Sequence, residues 1–247
     1  MAAVRQLDIA AHGAASQAPV TARVYRRLLT DVMLGEISPG DRLPLHDLAR
    51  RYVTSSASVR QALLQLAAEG LIDTETPRGF RAAATTADDF LDLMRTLDWL
   101  MSIGVRESID NGDGHWEAGV LAAHRAFAQS MEGSGPARRD ELPLAGERFL
   151  EYQDALIAAC RSRNLLDFCR SLNRRLLRYR NLARIQKTDE REWAERIRDA
   201  VLERDAALAL AHLESYHRSL IDLVFRSGLL TAPLGGSPAA PSSRGLL

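Results

Sequence analysis

The stretch Thr54 to Ile72, TSSASVRQALLQLAAEGLI, most constrains what this chain can become. It opens on Thr and Ser, whose hydroxyls accept the free backbone N–H groups of a helix's first turn. Ser55 is the preferred cap, and Ser58 with Gln61 three residues later offers a capping box one turn on. Val59, Leu63, Leu66 and Ala67 recur at helical spacing and make one apolar face, and Gly70 stops the helix. Ser56, Ser58, Arg60 and Gln61 gather at the N-terminal end. Partial positive charge and free N–H groups there favour a phosphate. The pattern suits a recognition helix in a DNA major groove, and it suits an ordinary amphipathic helix as well.

The flanking segments favour the first reading. Pro44 to Tyr52 (PLHDLARRY) is short and helical, with Leu45, Leu48 and Ala49 on one side, and a tight turn at Val53-Thr54 follows it. Two helices so joined make a helix-turn-helix. Downstream, Leu71 to Thr76 and Phe80 to Ala84 read as short strands around Pro77-Arg78-Gly79, a hairpin wing with Arg78 at its tip. Upstream, Val20 to Leu34 is a helix with Val24, Leu28 and Val32 facing the core. Gly35 ends it, and Ser38-Pro39-Gly40-Asp41 is a turn.

These residues resemble the winged helix of the GntR family of bacterial transcription regulators. The resemblance rests on Val24-Tyr25, Gly35 to Leu43 (GEISPGDRL), Leu48-Ala49, Val59 to Leu63 (VRQAL), Leu66, Glu69 to Ile72 (EGLI) and Arg78-Gly79, across residues 20 to 84. Residues 86 to 228 resemble, more weakly, the all-helical FCD effector domain of the fatty-acid-regulator-like branch. The implied fold is mainly α: an N-terminal winged helix-turn-helix with a small β-hairpin, then an all-α antiparallel bundle. The implied function is a dimeric regulator, repressing by family default, that reads a pseudo-palindromic operator and is switched by a small molecule.

Carried onto this chain, the backbone N–H groups, Ser55, Ser58, Arg42 and Arg78 hold phosphates, and Arg60 and Ser56 reach base edges. Gln61 and His46 stand within reach of DNA, and Gly79 lets the wing tip approach the minor groove. Arg42 and His46 read equally well as solvated surface residues. The chain departs from the family at Ser56, where an Arg usually reads bases, and at Ser58 and Gln61, where Pro and Glu are common. Losing a bidentate Arg–guanine pair removes about 1–3 kcal/mol of discrimination per half-site, so a different or looser operator is expected.

Composition sets the outer limits. The 247 residues, 46% hydrophobic and 26% charged, suit one or two globular domains. No apolar run reaches the ~18 residues of a membrane span, and the N-terminus lacks a signal-peptide core. Cys160 and Cys169 read as buried or idle thiols, consistent with the cytoplasm, on the nucleoid when the protein is bound to DNA. Net charge is zero, so DNA affinity has to come from clustered Arg and from two-fold symmetry.

The domain reading is a flexible segment over 1–19, the winged domain over 20–85, the helical domain over 86–230 and a disordered tail over 231–247. Asp88 is a candidate cap for the first bundle helix. Helices are expected over Phe90–Ile109, Trp116–Met131, Leu144–Cys160, Leu165–Ile185, Glu190–Glu203 and Ala206–Phe225, with a loop over Glu132–Pro143.

FCD domains usually hold a divalent metal through one Asp and three His. Those positions fall here on Phe149, Gln153, Ala194 and Tyr216, none of them a usual ligand. A one-residue shift would bring in His217 alone. No cofactor or metal is therefore expected. Arg95 matches a family Arg facing the cavity, where it suits a carboxylate effector or, equally, an ion pair with Asp98 or another acid. Gln153 and Tyr216 would hydrogen-bond that effector or simply fill the cavity along with Phe149. The Arg-rich run Asn173 to Arg184 reads as a solvated face, with Arg174, Arg175 and Arg178 as alternatives pointing to the pocket. No nucleophile–base pattern or phosphate-binding Gly loop marks an enzyme.

Overall fold

The computed structural model describes residues 20–75, 79–132, 142–185 and 188–230. The expected terminal segments over 1–19 and 231–247, Arg78 and most of the expected loop over Glu132–Pro143 lie outside the described residues. The winged part runs α1 (Val20–Met33), α2 (Leu45–Tyr52), α3 (Ser56–Ala68), β1 (Ile72–Glu75) and β2 (Gly79–Ala82). The bundle runs α4 (Ala87–Asn111), α5 (Gly114–Ser130), α6 (Leu142–Leu156), α7 (Arg163–Ala183), α8 (Thr188–Leu202) and α9 (Ala206–Arg226).

In the winged part, α1 packs on α3. Val24, Leu28, Val32 and Met33 of α1 and Val59, Ala62, Leu63 and Leu66 of α3 are buried. Full burial of a Leu removes enough apolar surface from water to contribute about 1.5–3 kcal/mol. Ser55 caps α3, its Oγ accepting the Ser58 N–H at 3.1 Å, so the alternative cap one turn on is not used. Ser58 lies within the helix and its Oγ stands 3.0 Å from that of Ser55. The turn between α2 and α3 is made by Val53, which takes a left-handed φ of 53°.

The wing is antiparallel, with Ile72 opposite Ala82 and Glu75 opposite Gly79. The turn expected before α2 turns out also to pair with β2 along its other edge. Leu43 N–H donates to Phe80 O at 2.9 Å, Ala82 N–H to Asp41 O at 2.8 Å and Gly40 N–H to Ala82 O at 2.9 Å. The hairpin is thereby stitched to the body of the winged domain, because β2 finds backbone partners on both edges.

The first bundle helix starts earlier than expected. Thr86, not Asp88, is its cap, accepting the Asp89 N–H at 3.1 Å. Asp113, Ser162 and Asp205 cap α5, α7 and α9 in the same way. Among the bundle helices, α5 packs on α6, α8 on α9, and α4 on both α7 and α9. Cys160 and Cys169 are both buried, and burial pushes the Cys169 thiol up to about 12. A thiol so protonated is a poor nucleophile. Among the described residues no helix is long and apolar enough to cross a membrane.

One bundle helix, α7, also packs on α1. Glu69, at the C-terminal end of α3, accepts from Arg174 Nη1 at 2.6 Å and from the Tyr25 hydroxyl at 2.5 Å. Asn181 Nδ2 donates to Met33 O at 3.3 Å, and the Arg175 side chain lies against Gly70. Arg175 and Tyr179 both bond Asp89 on α4, at 2.6 and 2.8 Å. The Arg-rich run is therefore not the solvated face expected of it. Arg178 and Arg180 are buried, and Arg174 and Arg175 lock the two parts together. Periodicity hid this, because the neighbouring surface that covers α7 belongs to elements distant in sequence.

Candidate nucleic-acid interface and effector core

The outer face of α3 presents Ser56, Ala57, Arg60, Gln61 and Leu64, all exposed. Its first turn carries no acidic residue. Arg60 stands over the Phe80 ring of the wing, 6.0 Å from its centroid, so the ring steers the guanidinium outward beside the hairpin. Val53 at the turn is 90% exposed and Leu64 is 46% exposed. Exposed apolar groups here can meet thymine methyls. Sequence periodicity did not single out either residue.

Arg42 is exposed and lies opposite Arg81 in the bridge on the other edge of β2, at the base of the wing. Arg81 itself is spent on Glu75 Oε1, at 2.7 Å, and on Gly40 O. Arg50 pairs with Asp47 at 2.5 Å, and Arg51 with Asp31 at 2.9 Å. Arg42 and Arg60 are exposed cations with no ion-pair partner among the described residues, as are Arg23, Arg26 and Arg27 of α1. His46 is exposed, 3.7 Å from Asp47. Gly79 opens β2 at φ +98°, with open space around the position of a Cβ. A side chain at this φ is strained, and its absence keeps the wing tip slim.

The expected effector residues do not assemble as one set. Arg95 is exposed and pairs with Asp92 at 2.7 Å, not with Asp98, and lies over the Trp99 ring. It faces away from the bundle core, which corrects the pocket alternative and agrees with the ion-pair one, the acid being Asp92. Phe90, Leu93, Met94, Leu97 and Met101 take the buried side of the helix, and Arg95 is not among them. Asp98 bonds His217 Nδ1 at 2.9 Å instead. Arg178 is buried, with Nε and Nη2 lacking any partner. Burial lowers its pKa, and the carboxylates that act on it are Asp73 of the wing and Asp89 of α4. It belongs to the junction between the two parts and not to the core expected for it.

The core itself is aromatic. Phe149 and Gln153 of α6, Ala194 of α8 and Tyr216 of α9 are all buried. Tyr216 stacks on Trp193 at 3.7 Å, and Tyr152 and Phe127 stack at 5.7 Å. The Tyr152 hydroxyl donates to Ala194 O at 2.8 Å. Beside these rings lies Arg180, 3.6 Å above the Phe149 ring, with both arms on the Glu190 carboxylate, Nε at 2.6 Å. Burial opposes its charge, but Glu190 and the Tyr216 hydroxyl hold its pKa above the usual value. Sequence reasoning missed this pair. The pocket alternatives in Asn173 to Arg184 are Arg174, Arg175 and Arg178, and nothing in the spacing marks Arg180 as different from the solvated rest.

A surface cavity of about 500 Å³ lies elsewhere, lined by Asn111, Asp113, His115, Trp116, Ala155 and Arg161. Among the described residues no group of three or more His, Cys, Asp and Glu is placed to hold a metal ion. Of Phe149, Gln153, Ala194 and Tyr216, only Gln153 and Tyr216 carry side-chain oxygen or nitrogen atoms, an amide and a phenol.

A recognition helix with paired wing and flanking free arginines, joined to a helical bundle, defines a DNA-binding transcription regulator. The comparisons agree. A model of the bacterial regulatory proteins of the gntR family matches residues 20–81. The HTH-type transcriptional regulator BphR of Paraburkholderia xenovorans is 32% identical over 212 residues, 83% of this chain and 85% of that protein. The HTH-type transcriptional repressor GlaR of Escherichia coli is 29% identical over 194 residues, 75% of this chain and 86% of that protein. Among solved structures, E. coli McbR/YncC superposes with a TM-score of 0.66 at 18% identity, over 86% of this chain and 100% of that one, a likeness of fold. The chain belongs to the GntR family, with an FCD-like helical domain, and binds DNA to regulate transcription. Its relatives are regulators, not enzymes.

Proposed function

We propose that the protein is a repressor that binds a two-fold symmetric operator as a homodimer and is modulated by a small carboxylate in the bundle core. The observation that carries the DNA reading is the acid-free outer face of α3, which presents the unpaired cation Arg60. Arg60 with Ser56 and Gln61 reads base edges, and Arg42, Ser55, Ser58 and the backbone amides at the start of α3 hold phosphates. Repression is supported by the name of GlaR, a transcriptional repressor. One winged helix offers few phosphate contacts, and a dimer doubles them, which suits a chain of zero net charge.

The effector reading moves from Arg95 to Arg180, which with Tyr216 and Trp193 makes the polar part of the core. Gln153 lies buried on the adjoining helix. A second reading has a specific observation in its favour: the core is filled by Phe127, Phe149 and Tyr152, with relative exposures of 1%, 0% and 0%, as a constitutive regulator with a plugged pocket would be.

Selection of duplexes from a random pool, with salt dependence recorded, tests the DNA reading. A palindromic winner bound at about 10⁻⁸ M or tighter supports it, and weak binding with no enriched motif overturns it. Thermal melting against short carboxylates separates the two effector readings, because a ligand of the folded state raises the melting point with concentration.

A further inference from the structure

We infer that Glu190 is an internal stand-in for the effector's carboxylate, and that a short carboxylate ligand takes its place on Arg180 to switch the protein. This rests on the effector reading above and names the regulation of that site.

The Arg180–Glu190 pair is fully enclosed, with side chains 8% and 5% exposed. The carboxylate lies in the guanidinium fork in bidentate fashion, with the Phe149 ring beneath the cation. The third arm, Arg180 Nη1, is buried and has no partner. Two further buried donors beside it are also unpartnered, Trp193 Nε1 and the Tyr216 hydroxyl. Trp193 and Tyr216 stack on each other, and the Tyr216 hydroxyl feels the charges of both Arg180 and Glu190. Three of the seven unpartnered buried polar side-chain atoms among the described residues thus belong to Arg180 itself, to Tyr216, which feels the pair's charges, and to Trp193 stacked on it.

A pair built for stability alone has no use for this surplus. A buried donor left unpaired is a net cost, and apolar replacements would serve better. Donors in excess are what a site needs when the acceptor arrives from outside. Glu190 satisfies two guanidinium N–H groups and leaves three other donors idle. A free carboxylate is not tethered to α8, so it can settle deeper and engage the fork together with Trp193 and Tyr216. The space vacated is that of a Glu side chain, a propionate in volume, and the surrounding rings supply apolar walls. The ligand class is therefore a short monocarboxylate.

The consequence reaches DNA through α7. Arg180 lies on the same helix as Arg174, which bonds Glu69 at the end of α3, and as Arg175, which lies against Gly70. Exchanging a carboxylate fixed to α8 for a free one releases α7 from α8 while leaving its contact with α3 in place. Apparent affinity in the native chain is the intrinsic affinity reduced by the fraction of molecules in which Glu190 has withdrawn.

The test is titration of the full-length protein with propionate, against chloride at equal ionic strength, by calorimetry and thermal melting. Glu190→Gln is expected to bind propionate at least tenfold more tightly than the native chain, because nothing charged has to be displaced. Trp193→Phe and Tyr216→Phe each remove an idle donor. Both are expected to melt at or above the native temperature without propionate, yet to bind it several-fold more weakly. Native binding of propionate with no gain in Glu190→Gln overturns the exchange and leaves the effector reading standing. No propionate binding by either protein overturns both. Should Glu190→Gln fail to fold, full propionate affinity in both Phe variants overturns the exchange on its own, and would mean that those donors serve only trapped water.

Discussion

Arg174 on the bundle helix α7 donates to Glu69 at the C-terminal end of the recognition helix, 2.6 Å away, and the Tyr25 hydroxyl completes the carboxylate. The helical bundle therefore holds α3 by its C-terminal end. Burial and the Glu69 charge together push the Tyr25 hydroxyl up to about 12, so it stays a donor at any physiological pH. Glu69→Gln and Arg174→Met are expected to leave the fold intact. Their double-mutant cycle in urea unfolding is expected to give a coupling of about 1 kcal/mol, the value for a half-exposed charged pair. Additive losses would show that the pair ties nothing together.

Arg60→Ala is expected to abolish operator discrimination while circular dichroism and sedimentation stay native. The loss expected is about 1–3 kcal/mol per half-site, and larger for a dimer. Non-specific binding at low salt should survive, because Arg42 and the amides of α3 remain. Unchanged operator affinity in this variant would remove α3 as the reading helix.

Gly35 takes φ +76°, and a Cβ there would stand 2.8 Å from Leu182 Cδ2. Gly35→Ala is expected to cost stability by about 1 kcal/mol or more from backbone strain, and to push α1 off α7. The distinguishing measurement is hydrogen exchange. Protection is expected to fall at the junction of α1 and α7 and not in α5 or α6.

His124 sits 3.2 Å from Arg198 Nη1, and burial followed by the Arg198 charge lowers its pKa. The folded state thus favours the neutral ring. Its contribution is present above the ordinary histidine value of 6.5 and is lost as pH falls from there through the lower folded value. Urea unfolding between pH 7.5 and about pH 5 is expected to show the native chain losing stability relative to His124→Asn. A difference that stays flat with pH would show that the ring does not titrate on folding.

Much of the DNA-binding half could be read from local signals. The Ser55 cap, the apolar positions of α3, the turn at Val53 and the strand pair around Gly79 are each set by residues near one another in sequence. They came out within a residue or two. The bundle was legible as helices, and its helix count follows from caps and periodicity. What failed was the direction of its arginines. For Arg95 the sequence left a pocket and an ion pair open, and it lies outward on Asp92; Arg180, grouped with a solvated face, is buried on Glu190.

The physical reason is one of range. Caps, turns and apolar periodicity act over a single helical turn, so the sequence by itself determined a winged helix-turn-helix followed by a helical bundle. Whether a cation faces water, a phosphate or a carboxylate depends on which distant element covers it. Arg60 stayed free because no acid packs against the outer face of α3. Arg174 was claimed by Glu69, 105 residues away, and Arg180 was enclosed only because α6, α8 and α9 close over it. Those assignments were made by the tertiary structure alone.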